Sequence, residues 1–324
     1  EIGVRLVGSE MCIRDRSGLH RLHVRHAGRI MKRIDKPWTR TIIITQYMLN
    51  NDVKRIYSVE VIVLTYLGDG RMIFYFSATG NSEHVARSIA EANDDRLAYI
   101  PDLLTSGELS FDVSGEKMIG FVSPTYYWGL PTIVEDFLRR LELSFEERPY
   151  TFFVATYGTK NGAITQVAER ILKDKGVDMD ASYEVRMPDT WTPVFDLTNE
   201  ENISKRVKTA DEKLEEVMCQ IASRSKGVFM KDRIPEFISK MFYSLYEKAR
   251  RTENLTVEEH CTGCGRCAEF CPVHAIKMCD GRPEWTMDSC VMCLGCLHRC
   301  PSFAIQYGDK TKGHGQYINP HCPE

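Results

Sequence analysis

"CTGCGRCAEFCP" at 261–272 and "CVMCLGCLHRCP" at 290–301 decide how the C-terminal part of this chain is read. Both follow C-x2-C-x2-C-x3-C-P, and their cysteines keep a constant offset of 29 residues: 261 to 290, 264 to 293, 267 to 296 and 271 to 300. Pro272 and Pro301 keep it too, as do the Ala-Ile pairs at 275–276 and 304–305, so the segment is an internal duplication. A cube of four irons and four sulfides needs thiolates at its four corners. One tight loop reaches three of them only if its spacing curls the backbone around the cube. Tetrahedral zinc uses pairs of C-x2-C set apart by a longer loop, which leaves the third step and the proline without a role. Eight half-cystines at this density would be strained as disulfides. The reading is therefore two [4Fe-4S] clusters on Cys261, Cys264, Cys267, Cys271, Cys290, Cys293, Cys296 and Cys300. With those thiols available, His260, His274 and His298 are expected to face solvent or pack. Cys219, Cys279 and Cys322 are expected to be small apolar or exposed residues.

The chain of 324 residues has room for a large domain and a small one. It contains no run of eighteen apolar residues, so no membrane span is expected. The net charge of -3 conceals an asymmetry: residues 1–71 hold 13 Lys+Arg against 7 Asp+Glu, the remainder 29 against 38. An acidic body excludes nucleic acid as its partner, because phosphate binding needs a positive surface. No signal peptide is recognisable, and clustered thiols suit a reduced, cytoplasmic setting.

"EIGVRLVGSEMCIRDR", residues 1–16, resembles the translated read-through of a sequencing adapter. The residues that follow hold neither a helical nor a strand period. Residues 1–71 are expected to be adapter read-through and translated upstream sequence outside any fold, with the native start at Met72.

From Met72 short apolar runs alternate with helical stretches. "MIFYF" (72–76), "KMIGFVSP" (117–124), "YTFFVATYG" (150–158) and "ASYEVRMP" (181–188) read as strands, and amphipathic helices separate them. This is the pattern of a doubly wound α/β parallel sheet. A long charged helix and "IPEFISKMFYSLYEKARR" (234–251) follow. In the latter Phe237, Met241, Phe242, Leu245 and Tyr246 share a side expected to pack on the protein and dock the small domain.

"FYFSATGNSEHVA" (74–86) runs from a strand through a hydroxyl- and glycine-rich loop into a helix. An anion there meets free N–H groups and the positive end of the helix dipole. Ser77, Thr79 and Ser82 add hydroxyl donors, and Gly80 lets the backbone come close. The loop has no Lys or Arg, which argues against a nucleoside triphosphate and for a monophosphate. "SPTYYWGLP" (123–131) and "ATYGTKNGA" (155–163) also follow central strands, so all these loops reach the carboxyl edge of the sheet, where ligands bind. Tyr126, Tyr127, Trp128 and Tyr157 offer flat faces to a planar ring.

On these motifs residues 72 to about 190 resemble a flavodoxin-type FMN domain, and 254–308 resemble a bacterial two-cluster ferredoxin. The body as a whole is similar to the fused flavodoxin/ferredoxin proteins of anaerobic bacteria and archaea. The resemblance implies a flavodoxin-like sheet followed by a small α+β domain. FMN would lie on Ser77, Ala78, Thr79, Gly80, Asn81 and Ser82, on Pro124, Thr125, Tyr126, Tyr127, Trp128 and Gly129, and on Thr156, Tyr157, Gly158 and Gly162. It also implies that the last cysteine of each run serves the other cluster, giving the sets Cys261, Cys264, Cys267, Cys300 and Cys290, Cys293, Cys296, Cys271. The backbone near Gly129 or Gly158 would face the ring nitrogen that is protonated on reduction. The expected division is an FMN domain at 72–195, a helical connector at 196–253, a ferredoxin domain at 254–308 and a tail at 309–324.

Such a chain is expected to transfer electrons between FMN, the clusters and redox partner proteins. A second reading is an FMN-dependent oxidoreductase acting on a small organic substrate, and a third is a redox sensor. No G-x-G-x-x-G fingerprint occurs, so no direct NAD(P)H site is expected. No acid or base beside the ring stands out in the sequence, His84 being expected to lie exposed on the first helix.

Overall fold

The structure, a computed structural model, describes residues 71–91 and 96–322, and upstream of them only five backbone strands. Residues 1–68 and 69–324 are separate units. In the first, Ile13–Asp15 pairs with Gly18–His20, and Ala27–Lys36, Thr39–Asn50 and Arg55–Tyr66 pair in sequence, all antiparallel. The expectation that 1–71 is no part of a fold falls largely outside the described residues.

The second unit is built on a sheet whose strands are β1 (Arg71–Tyr75), β2 (Arg96–Tyr99), β3 (Met118–Pro124), β4 (Tyr150–Tyr157), β5 (Ala181–Arg186) and β6 (Gly227–Phe229). Their order is β2-β1-β3-β4-β5-β6, and every pairing is parallel. This is the flavodoxin-like doubly wound order with one strand added, and its switch point lies between β1 and β3. β4 is buried along its whole length, as a central strand covered on both faces must be. On one face Val85, Ala86, Ile89 and Ala90 of α1 (Asn81–Glu91) join Ala210, Leu214, Val217 and Ile221 of α5 (Glu200–Ala222) over Ile73, Val122 and Val154. On the other, Phe74 stacks on Phe121 and meets Phe137 of α3 (Thr132–Arg140). α2 (Ile100–Ser106), leading from β2, and α4 (Ile164–Lys173) each touch α3.

The sheet domain runs past 195, the boundary expected from the sequence. α5 starts at a cap in which the Asn199 side chain accepts from the Asn202 N–H at 2.9 Å, and its apolar residues recur every three or four positions. That stripe completes the core, and the chain then supplies β6. Only α6 (Glu236–Ala249) is left to connect. Its apolar side is divided: Tyr246 is 1% exposed, whereas Phe237, Met241 and Leu245 are 75%, 63% and 47% exposed. The single packed face expected for it does not form.

The C-terminal region pairs β7 (Leu255–Val257) with β10 (Ile305–Tyr307) and β8 (Ile276–Cys279) with β9 (Arg282–Trp285), both antiparallel. Short helices α7 (Arg266–Glu269) and α8 (Gly295–His298) stand 29 residues apart, so the sequence repeat is a repeat in space. The backbone repeats as well. Positive φ recurs at Gly263 and Met292, at Gly265 and Leu294, and at His274 and Phe303. Each is a left-handed step that curls a cysteine loop on itself.

Candidate functional site: a flavin cavity walled by a cysteine loop

At the carboxyl edge of the sheet lies a cavity of about 380 Å³. Its floor is the loop after β1, with Ser77, Ala78, Thr79, Asn81 and Ser82 on the wall. Ser82 Oγ lies 2.7 Å from Thr156 Oγ1, which ties this loop to the end of β4. The sides are Pro124, Thr125, Tyr126, Tyr127 and Trp128 after β3, and Thr156, Tyr157 and Gly158 after β4. The loops named from the sequence are thus brought together, with the exception of three glycines. Gly80, Gly129 and Gly162 do not line the cavity; they permit close packing behind it. A Cβ at Gly80 would stand 2.9 Å from Asn319 Cβ, and one at Gly129 would stand 2.5 Å from the Tyr243 ring. At Gly162 it would meet the Trp128 carbonyl oxygen. The Gly129 N–H also donates to Tyr126 O at 2.9 Å, and the Gly129 carbonyl accepts from the Tyr126 N–H at 3.0 Å.

The residues present fit a phosphate and a ring. Thr125 Oγ1 is buried on the wall with no hydrogen-bond partner, an orphan that a bound ligand would satisfy. Ser77 and Thr79 are buried hydroxyls at the start of α1. The aromatics are half-buried and mutually braced: Tyr127 meets Trp191 at 5.4 Å between centroids, and Trp128 packs on Phe242 at 3.9 Å. The Tyr157 hydroxyl donates to Asp232 at 2.8 Å.

The sequence did not point to the loop after β5. Met187, Pro188, Asp189, Thr190 and Trp191 close the cavity on that side, and the rule that placed the other loops at the carboxyl edge applies equally here. Asp189 is half-buried, and burial raises its carboxyl to about 6. Its oxygen accepts from the Trp191 N–H at 3.1 Å, and a Cβ on Gly158 would collide with it.

The remaining wall comes from the cysteine repeat: Met292, Cys293 and Leu294 line the flavin cavity. Behind them a small cavity is lined by Cys271, Cys290, Cys293 and Cys296, and a separate one by Cys261, Cys264, Cys267 and Cys300. These are the crossed sets that the ferredoxin resemblance implies. Sulfurs receive backbone donors at repeat-related positions, Ala275 N–H to Cys271 at 3.3 Å and Ala304 N–H to Cys300 at 3.2 Å. Burial pushes the Cys293 thiol up to about 12 and Cys267 to about 11, so only a bound cation would make such groups thiolates near neutral pH. No disulfide joins the described cysteines.

His298, expected from the sequence to face solvent or pack, is 4% exposed and is a junction. Its Nδ1 accepts from Tyr317 N–H at 3.2 Å, so Nε2 carries the proton and donates to Thr190 O at 2.9 Å. Burial lowers its pKa to about 4, keeping it neutral. The tail past 308 is a further feature the sequence did not announce. Tyr317 OH and Asn319 Nδ2 both donate to Asn81 Oδ1, at 2.9 and 3.0 Å, and Asn319 N–H donates to Thr79 O at 2.8 Å. Arg299 Nε reaches Ala78 O at 3.1 Å.

Comparison with known proteins agrees with this architecture. Residues 72–216 match the model of the flavodoxin domain, and 256–277 match the model of the 4Fe-4S binding domain. The chain carries a flavodoxin domain followed by a 4Fe-4S binding domain, the make-up of a fused flavodoxin/ferredoxin protein. Among solved structures it is similar to the rubredoxin:oxygen oxidoreductase of Desulfovibrio gigas, at 18% identity over 48% of this chain and with a TM-score of 0.28. The chain spans 37% of that protein's length. It is also similar to a flavodoxin of Streptococcus pneumoniae TIGR4, at 19% identity over 45% of this chain and 98% of that one, TM-score 0.29. A flavoprotein in complex with FMN from Lactobacillus acidophilus NCFM is 14% identical over 36% and 93%, TM-score 0.28. None of the curated proteins compared with the chain matches it.

Proposed function

We propose that this chain is a cytoplasmic electron-transfer protein that holds one FMN and two [4Fe-4S] clusters and exchanges electrons with redox partner proteins. FMN takes up electrons singly or in pairs and a cubane cluster takes one, so joining them lets pairs be divided or assembled. The observation that carries the reading is the shared wall: Cys293 borders both the flavin cavity and the cavity of the second cysteine set. Within this reading, the amides and hydroxyls of 77–82 hold the phosphate and the aromatics around 126–128 and 191 exclude water. The N–H donors to Cys271 and Cys300 tune the clusters. Among the described residues no helix is long and apolar enough to cross a membrane.

The test is anaerobic purification with iron, sulfide and flavin counts, followed by reductive titration. About eight irons and one flavin per chain are expected, with flavin and iron–sulfur absorbances exchanging electrons on mixing with redox proteins. NADH or NADPH alone should leave the flavin oxidised. A flavin that never equilibrates with the clusters would sink the reading.

Asp189 favours a second reading, an oxidoreductase acting on a small organic substrate. A carboxyl raised to about 6 on the cavity wall can give or take a proton near neutral pH. Turnover abolished in Asp189→Asn, with flavin-to-cluster exchange intact, would support it; turnover unaffected in that variant would dismiss it.

A further inference from the structure

His84 on α1, Asp211 on α5 and His321 in the tail converge on the outside of the sheet domain, away from the flavin cavity. His84 Nε2 lies 2.9 Å from Asp211 Oδ1, and His321 Nε2 lies 3.0 Å from Asp211 Oδ2. One carboxylate thus faces two imidazoles, one on each oxygen. The rings lie parallel, 4.2 Å between centroids and 19° between planes, and a ligand atom from each of the three residues falls within 4.8 Å of the others.

We propose that these residues bind a divalent transition-metal ion of the zinc type, and that the ion fastens the tail to the flavodoxin domain. Two imidazoles and a carboxylate are borderline donors that suit zinc rather than magnesium or calcium, which take oxygen. Ligands at roughly 2.0–2.1 Å in a tetrahedron stand about 3.3 Å from one another. The observed 2.9 and 3.0 Å separations run to the two different oxygens of Asp211, so to admit the ion each opens by a few tenths of an ångström and the carboxylate either chelates through both oxygens or turns until one oxygen serves both imidazoles. His321, whose side chain is 44% exposed, leaves an entry path and room for water as fourth ligand. The three ligands lie 110 or more residues apart in sequence, and the same tail reaches Asn81 and Thr79 two to four residues before His321. An ion at this point therefore closes the strap over the phosphate loop. Without metal the same atoms make two hydrogen bonds, so the resting geometry is preformed.

The experiment uses the full chain with its iron complement intact, so that cysteines are not competing for zinc. Wild type, His321→Ala and Asp211→Asn are dialysed against ZnCl2, desalted and assayed for zinc and iron. Wild type should retain one zinc per chain beyond either variant, and the variants should bind at least about tenfold more weakly, the low end of what even an outer-shell loss costs. Hydrogen exchange in peptide 315–322 should slow on adding zinc to wild type and not to the variants. Both substituted positions are partly exposed, so the fold should survive. Equal zinc in all three proteins, or equal slowing of exchange, overturns the proposal. The assay reads zinc and tail protection whether or not flavin is bound, so failure of the electron-transfer reading would leave it standing.

Discussion

Replacing Tyr246 by phenylalanine removes one buried hydroxyl at the joint between the flavin cavity and the cysteine loop. Tyr246 lies on α6, 1% exposed, with its ring 6.2 Å from Tyr126 and 5.6 Å from Tyr127 between centroids. Its hydroxyl donates to Val291 O at 2.5 Å, between Cys290 and Cys293. Phenylalanine keeps the ring contacts and opens no cavity, so the loss is that of a buried carbonyl left without its donor and of the oxygen that accepts from Thr132. That costs about 1–3 kcal/mol, or roughly a 5- to 150-fold rise in the opening constant of loop 290–293 at 1.36 kcal/mol per decade. Deuterium exchange of peptide 288–296 reads it directly, since the Cys290 amide donates to Arg250 O at 3.0 Å and exchanges only when the loop opens. Tyr246→Ala should be worse by a further 3–5 kcal/mol or so, because it also removes a buried ring. Unchanged exchange in Tyr246→Phe, or an alanine variant no worse than the phenylalanine one, would show that the joint is held by something else.

Other expectations follow from the same geometry. Asn81→Ala strips the shared acceptor from two buried donors of the tail and the Nδ2 donor from Pro188 O, and should lower unfolding stability by about 2–4 kcal/mol in urea titrations. Gly158→Ala drives a methyl group into the Asp189 carboxylate; flavin affinity, followed by fluorescence quenching, should fall by an amount equivalent to roughly 1–3 kcal/mol of overpacking. Because burial raises Asp189 to about 6 from an ordinary carboxylate value near 4, the native state holds the proton more tightly. Its contribution is complete below pH 4 and lost as pH rises to about 6, a downward slope that Asp189→Asn should remove from a plot of urea midpoint against pH. If the crossed sets hold iron, Cys271→Ser and Cys290→Ser should each cut the iron count from about eight to about four and leave the same cluster signal behind; Cys300→Ser should leave the other.

The four inner strands of the sheet were legible because a buried parallel strand is a short apolar run with little competing pattern, as at "YTFFVATYG", whereas the short edge strands β2 and β6 were not. Three of the carboxyl-edge loops followed from topology together with their hydroxyls, glycines and aromatics. What stayed hidden was carried by contacts without a local signal. α5 reads as a charged helix because one narrow stripe, Val207, Ala210, Leu214, Val217 and Ile221, does its packing, and nothing in the pattern says that β5 is underneath. The Phe237 stripe has the same spacing yet faces water, since periodicity states that a face is apolar and not what covers it. Asp189 and His298 are unremarkable letters until burial shifts them. The tail's hold on Asn81 spans 236 and 238 residues, beyond the reach of any window.

The two cysteine loops share one template but stand in different surroundings, and the chain has adapted each to its place. In the first loop Cys264 and Phe270 are exposed, and the left-handed positions are the glycines 263 and 265, which adopt positive φ without steric cost. The second loop needs the same curl, yet it places Met292 and Leu294 there, at φ of 51° and 55°. A non-glycine residue in that region costs roughly 1–2 kcal/mol. Both side chains are buried, 4% and 2% exposed, and burying a Leu or Met side chain yields about 1.5–3 kcal/mol, enough to offset the strain. The exchange is worthwhile only where there is something to bury against, and these are the residues that wall the flavin cavity. The duplicated unit therefore has an outer half open to solvent and an inner half moulded to the flavodoxin domain. On the electron-transfer reading, that asymmetry would give a path from cavity to surface its direction: Cys293 at the inner end and Cys264, exposed, at the outer.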